Sequence, residues 1–158
     1  MVHPTRRQVA FSLALAVLAP GAARAQGALP RMRVTKDPNC GCCQGWVDYL
    51  KGEGFTVEVV ANADMTPLKK RLGVPAALQS CHTAEIGGYV IEGHVPAAPI
   101  KRLLRERPAA RGLAVAGMPD SSPGMDVSGA TDAYDVTLFG PSGQRRYARY
   151  RGRKEIKG

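Results

Sequence analysis

Three of the four cysteines fall within four consecutive positions, Cys40-Gly41-Cys42-Cys43. What flanks them fixes the local fold. A short extended run, Arg31 to Lys36, precedes them, and Asp37-Pro38-Asn39 forms a turn. After them, Cys43, Trp46, Val47 and Leu50 recur at i, i+3, i+4, i+7, the spacing of one helix face. Gly52 and Gly54 end that helix. The thiols therefore sit where a strand turns into a helix. A helix N-terminus favours thiolate through its partial positive charge and free N–H groups. Bonds among such close cysteines would close very small loops, which makes the cluster a poor staple and a good site. Structural disulfides remain the plain alternative in an exported domain. Cys40 and Cys43 keep the spacing of a redox pair, and Cys42 is one thiol more than dithiol exchange needs.

The rest of the chain continues the alternation. Phe55 to Val60 reads as a strand, and Met65 to Leu72 as a short basic helix that Gly73-Val74-Pro75 interrupts. His82 to Ile86 and Tyr89 to His94 flank Gly87-Gly88, as in a two-residue hairpin. Pro96 to Arg107 is a helix with Ile100, Leu103 and Leu104 on one face. Gly112 to Ser128 reads as a loop rich in Gly, Pro and Ser. Tyr134 to Phe139 and Gln144 to Tyr150 form a last hairpin around Gly140-Pro141-Ser142-Gly143. Strand, helix, strand, helix, hairpin, helix resembles the thioredoxin fold, whose Cys-x-x-Cys lies between the first strand and helix. The expectation is an α/β, thioredoxin-like domain with a central mixed sheet and flanking helices. A methionine-containing loop and a C-terminal hairpin are added to it.

Residues 1–25 read as an export signal. Arg6 and Arg7 precede an apolar run from Val9 to Ala19, and Ala23-Arg24-Ala25 offers a cleavage pattern. The run is too short to cross a bilayer. Thr5-Arg6-Arg7-Gln8-Val9 partly matches a twin-arginine signal. The expected division is a signal at 1–25, one domain at 26–150 and a basic tail at 151–158. The leader holds three arginines and no acid, while residues 145–158 hold seven bases and one acid. That leaves twelve charges of each sign in 26–144, so the net +9 of the whole chain is peripheral. A neutral body argues against nucleic acid as partner, and no later segment is apolar enough for stable membrane insertion.

The hairpin brings the fourth cysteine into play. With Gly87-Gly88 as the turn, opposed position numbers add to 175, and Cys81 faces His94. Opposed antiparallel residues share a face, with Cβ atoms about 4.5–5.5 Å apart. The open end of this hairpin should lie beside the cysteine loop. A competing register takes Val74-Pro75 as a cis-proline loop and leaves Cys81 roughly 20 Å away at about 3.3 Å per residue. His82 should face the other side of its strand, though it stands at the strand's start. Met118 and Met125 bracket a polar, proline-rich loop with no evident core to fill. Thioethers and thiolates together select soft Cu(I), whereas zinc would be content with Cys and His. Crowded thiolates could bridge two Cu(I) ions, which allows a polynuclear site.

Cys40-Gly41-Cys42-Cys43, Ser80-Cys81-His82-Thr83-Ala84, Gly88 to Pro96 and Gly112-Leu113-Ala114-Val115 before Gly117-Met118-Pro119 together resemble one family. It was long catalogued only as a domain of unknown function and includes the periplasmic copper-resistance proteins called CopG. The resemblance covers residues 31–150; Ala116 and Ser122 depart from the family's commoner Pro and Gly. It implies a thioredoxin-like fold, copper bound through the cysteines, and a role in copper tolerance. The expected ligands are Cys40, Cys42, Cys43 and Cys81, with His94 and His82 as nitrogen ligands and Met118 and Met125 as thioether caps. Copper ions are the expected partner, with other periplasmic copper-handling proteins beyond them. The rival function is a thiol–disulfide oxidoreductase with Cys40 as nucleophile and Cys43 as resolving thiol.

Overall fold

The first element of the described residues is a strand, β1 (Met32–Lys36), whose Met32 and Val34 are fully buried while Arg33 is exposed. A computed structural model describes residues 28–125 and 127–157. The leader at 1–25 lies outside the described residues. After the Asp37-Pro38-Asn39 turn comes α1 (Gly41–Gly52), which buries Cys43, Trp46, Val47 and Leu50, the four residues of the expected apolar face. Gly54, at φ +90°, takes the chain out of the helix in a conformation that favours glycine. β2 (Val57–Ala61) then runs parallel to β1. A short α2 (Thr66–Arg71), with Pro67 in its first turn, leads through a 3-10 turn (Ala76–Leu78) to the hairpin β3 (His82–Ile86) and β4 (Tyr89–Glu92). α3 (Ala97–Glu106) follows.

The hairpin pairs Thr83 with Glu92, Ala84 with Ile91, Glu85 with Val90 and Ile86 with Tyr89. This is the register of the Gly87-Gly88 turn, with φ +56° and +88° at the two glycines. β3 also runs antiparallel to β1, with His82 opposite Lys36. The start of β3 and the end of β1 therefore lie at one edge, next to the start of α1.

One expectation fails. Gly112–Ala114, read as the start of a loop, is a strand, β5, parallel to β4. Three residues are too few to show a period of two. The strand is buried through contacts that the local sequence does not display. Its first residue must be glycine, because a Cβ there would stand 1.7 Å from the Val90 carbonyl oxygen. The last hairpin is as expected: β6 (Ala133–Gly140) and β7 (Gly143–Arg151) pair around Pro141-Ser142, with a register shift between Val136 and Thr137. Residues 151–158 were set apart as a tail. Within them, β8 (Lys154–Glu155) pairs back on β7.

Among the described residues eight strands join one mixed sheet, in the order β2-β1-β3-β4-β5-β6-β7-β8. α1 and α3 pack on one face, where Trp46, Val47, Leu50, Ile100 and Leu103 meet Val34, Ile86, Ile91, Leu113 and Val136. A smaller cluster of Val74, Leu78, Val90, Ala114 and Phe139 covers part of the other face. The molecule is thus a mixed α/β fold in which three element ends converge: the β1–α1 turn, the start of β3 and the end of β4.

Candidate metal centre

Cys40 is the residue before α1, with extended backbone (φ −77°, ψ 101°), and its side chain caps no helix N–H. Cys40 and Cys43 are joined by a disulfide with their Cα atoms 5.4 Å apart. As a bridged pair they offer thiolates only after reduction. Cys42 and Cys81 are free thiols, both partly exposed. Cys42 Sγ stands 3.4 Å from Cys40 Sγ. The sulfurs of Cys40, Cys42, Cys43 and Cys81 all lie within 4.8 Å of one another.

Cys81 links the sulfurs to two imidazoles. Its Sγ is 3.1 Å from His94 Nε2 and 3.3 Å from His82 Nδ1. His94 Nδ1 lies 2.8 Å from the Pro123 carbonyl oxygen. A carbonyl only accepts, so Nδ1 carries the proton and donates it. Nε2 then turns its lone pair toward Cys81. A hydrogen bond of this kind commonly orients a metal-binding histidine. The His82 ring packs on Trp46 with centroids 4.3 Å apart and meets the His94 ring edge-on at 5.0 Å. Burial, helped by the nearby His94, Lys69 and Lys36 charges, holds His82 well below its ordinary pKa, so the ring is neutral. Its Nε2 has no hydrogen-bond partner among the described residues.

His82 corrects the face argument. It was expected on the side away from Cys81, yet its ring reaches the same sulfur. Alternation holds only within the ladder. Cys81 precedes β3, and Gly93, at φ +69°, ends the extended run of β4. Cys81 and His94 therefore lie outside the ladder and are free of the period of two, so Cys81 can meet the ring of His82, the first residue of β3. Burial first, then the nearby Cys42, pushes the Cys81 thiol up to about 11. A soft metal would have to displace that proton.

The methionine loop is clasped at both ends. Gly117 N–H donates to the Gln79 carbonyl at 3.3 Å, and Ser80 Oγ donates to the Gly117 carbonyl. At the other end a Cβ on Gly124 would stand 2.4 Å from Trp46 N and 2.9 Å from the Cys42 carbonyl oxygen, so the loop lies directly on α1. Met118 follows the first clasp and is 52% exposed. Met125 follows the second and is half-buried. The two stand at opposite ends of the loop.

Comparison with known proteins shows what the chain as a whole is similar to. A family described as "Protein of unknown function, DUF411" matches residues 78–125. A solved structure titled copper resistance protein CopG, form 1, is 46% identical with a TM-score of 0.73. It matches over 78% of this chain and 99% of its own. Form 2 of the same protein gives 46% identity and a TM-score of 0.73, over 77% and 98%. The chain belongs to the CopG family of copper resistance proteins. No curated protein matches it.

In this CopG-family chain two buried lysines beside the site escaped the sequence reading. Lys69 pairs with Glu92 and donates to Thr83 Oγ1 at 2.9 Å. Glu92 also accepts from Thr83 Oγ1 and from the Ser80 N–H, both at 2.7 Å, which holds the turn that presents Cys81. Lys36 is the second. Both look like ordinary surface lysines in sequence, and only the contacts made by α2 and the β1–α1 turn reveal them. Among the described residues no helix is long and apolar enough to cross a membrane.

Proposed function

We propose that this chain is an exported, periplasmic Cu(I)-binding protein that serves copper tolerance or trafficking. One observation carries the reading: four sulfurs within 4.8 Å of one another, the last of them in contact with two imidazoles. A donor set so rich in sulfur suits Cu(I) better than hard cations. Reduced Cys40 and Cys43 would join Cys42 and Cys81 as thiolate ligands. His94 offers Nε2, His82 offers a neutral ring, and Met118 and Met125 supply thioethers at the rim. Sulfurs this close can each bridge two ions, so the site suits several Cu(I) ions rather than one. The Cys40–Cys43 bond adds a two-electron couple beside the copper, which fits a part in cycling copper between its two oxidation states.

The test is direct competition. Reduced protein should take up Cu(I) in preference to Zn(II), and elemental analysis of protein from the periplasm should find copper after copper exposure. Retention of Zn(II) in its place would sink the assignment.

The Cys40–Cys43 disulfide at a helix N-terminus favours a second reading, thiol–disulfide exchange. Reduced Cys40 would attack a substrate disulfide to form a mixed disulfide. Cys43 would then attack Cys40 and release the substrate as a dithiol. Cys42→Ser separates the two. An exchange enzyme keeps its activity, and a copper protein loses metal stoichiometry.

A further inference from the structure

β1 ends on a lysine whose ammonium turns inward. Lys36 is 5% exposed. Its Nζ donates to three backbone carbonyls of the turn that follows: Asp37 at 3.0 Å, Pro38 at 3.4 Å and Cys40 at 3.4 Å. Among the described residues no carboxylate forms an ion pair with it. The Asp37 carboxylate, the closest in sequence, accepts the Asn39 N–H instead. Lys69 makes the contrast: it is buried to the same degree and has Glu92 as counter-ion. A buried ammonium held only by neutral carbonyls is costly and calls for an anion nearby.

The surroundings name that anion. The Lys36 ammonium touches the carbonyl of the first cysteine, at the positive end of α1. Across the sheet Lys36 is paired with His82, whose ring meets Cys81 Sγ. The ammonium is therefore anchored on the loop that carries Cys40, on a strand paired with that of His82. In the bridged form Cys40 and Cys43 carry no charge. Ligation of a soft metal by thiolates of this loop would bring the missing counter-ion.

We propose that Lys36 is a positioning residue that holds the 37–40 turn and sets a positive potential at the cysteine loop, which balances the thiolates when a soft metal is bound. It touches no metal and no substrate. The assignment extends the copper reading, but its first test needs no copper. Reduced, metal-free protein is treated in parallel with iodoacetate, an anion, and iodoacetamide, its neutral analogue. Alkylation of Cys40 and Cys42 is followed by mass spectrometry. A positive local potential enriches the anionic reagent, so the native iodoacetate-to-iodoacetamide ratio should exceed that of the same protein in urea. Lys36→Met should lower the native ratio by about tenfold, and Lys36→Arg should keep it. A purely structural role for Lys36 would change both rates together and leave the ratio alone, which would overturn the proposal.

If Lys36→Met fails to fold, the wild-type comparison decides alone, and equal native and denatured ratios refute the assignment. In the second arm Cu(I) affinity is measured by competition, and Lys36→Met should weaken it by about tenfold. Wild-type protein that binds no Cu(I) yet keeps the raised ratio would sink the copper reading and leave the Lys36 assignment standing.

Discussion

Gly124→Ala should unfasten the methionine loop from α1. Gly124 sits at φ +87°, where an added Cβ would meet Trp46 N at 2.4 Å, Trp46 Cα at 2.7 Å and the Cys42 carbonyl oxygen at 2.9 Å. These are helix backbone atoms, and no rotamer change can relieve them. Left-handed backbone costs an alanine about 1–2 kcal/mol. Overlap in a packed contact adds about 1–3 kcal/mol. The expected loss is therefore about 2–5 kcal/mol. Gly129→Ala isolates the first part, because Gly129 is at φ +79° with nothing within 4 Å of the added Cβ. Any gain from a stiffer unfolded chain is the same in both variants and cancels.

Urea unfolding, followed by the fluorescence of the single tryptophan, Trp46, measures both losses. Gly124→Ala should be the less stable by about 1–3 kcal/mol. The same change should reach the site. Pro123, next in sequence, accepts the His94 Nδ1 proton at 2.8 Å. Losing a contact that orients a metal-binding histidine weakens metal binding by about 10–100-fold. Two variants within about 0.5 kcal/mol of each other would refute the close contact between loop and helix. Unchanged Cu(I) affinity in a clearly destabilised Gly124→Ala would refute the link to His94.

Two further outcomes follow from buried groups. Lys69→Met leaves the fully buried Glu92 without its counter-ion and should cost about 3–5 kcal/mol in urea unfolding. Adding Glu92→Gln, which keeps an acceptor for the Ser80 N–H, should restore part of that loss. A double variant no better than the single would show that the pair is not coupled. The Cys81 thiol, raised from 9.0 to about 11, keeps its proton in the folded state over a range where the unfolded chain loses it. Its contribution to stability is thus present below about pH 9 and lost as pH rises through about pH 11. Reduced, metal-free protein should lose stability across that window in urea titrations, and Cys81→Ala should lose less. Identical slopes would refute the assignment.

Elements with their own period were legible. The α1 face and the Gly87-Gly88 register were each written in a few adjacent residues, and the register alone put Cys81 opposite His94. β5 was not legible, because three residues buried by strands from elsewhere carry no pattern of their own. His82 was misplaced because Cys81, the residue it was set against, stands before the ladder, where alternation no longer fixes which way a side chain turns. The two buried lysines were hidden for a related reason: their burial depends on what packs over them.

The sequence by itself determined where the thiols gather and which elements carry them, since helix spacing, turn glycines and cysteine spacing are local properties of the chain. Only the tertiary structure decided how those thiols are surrounded. The Cys40–Cys43 bond, the Pro123 carbonyl that sets the His94 tautomer, and the Lys36 ammonium that among the described residues only carbonyls hold all depend on contacts between element ends. Such contacts join residues distant in sequence or turned by a local bend, and no period along the chain records which ends will meet.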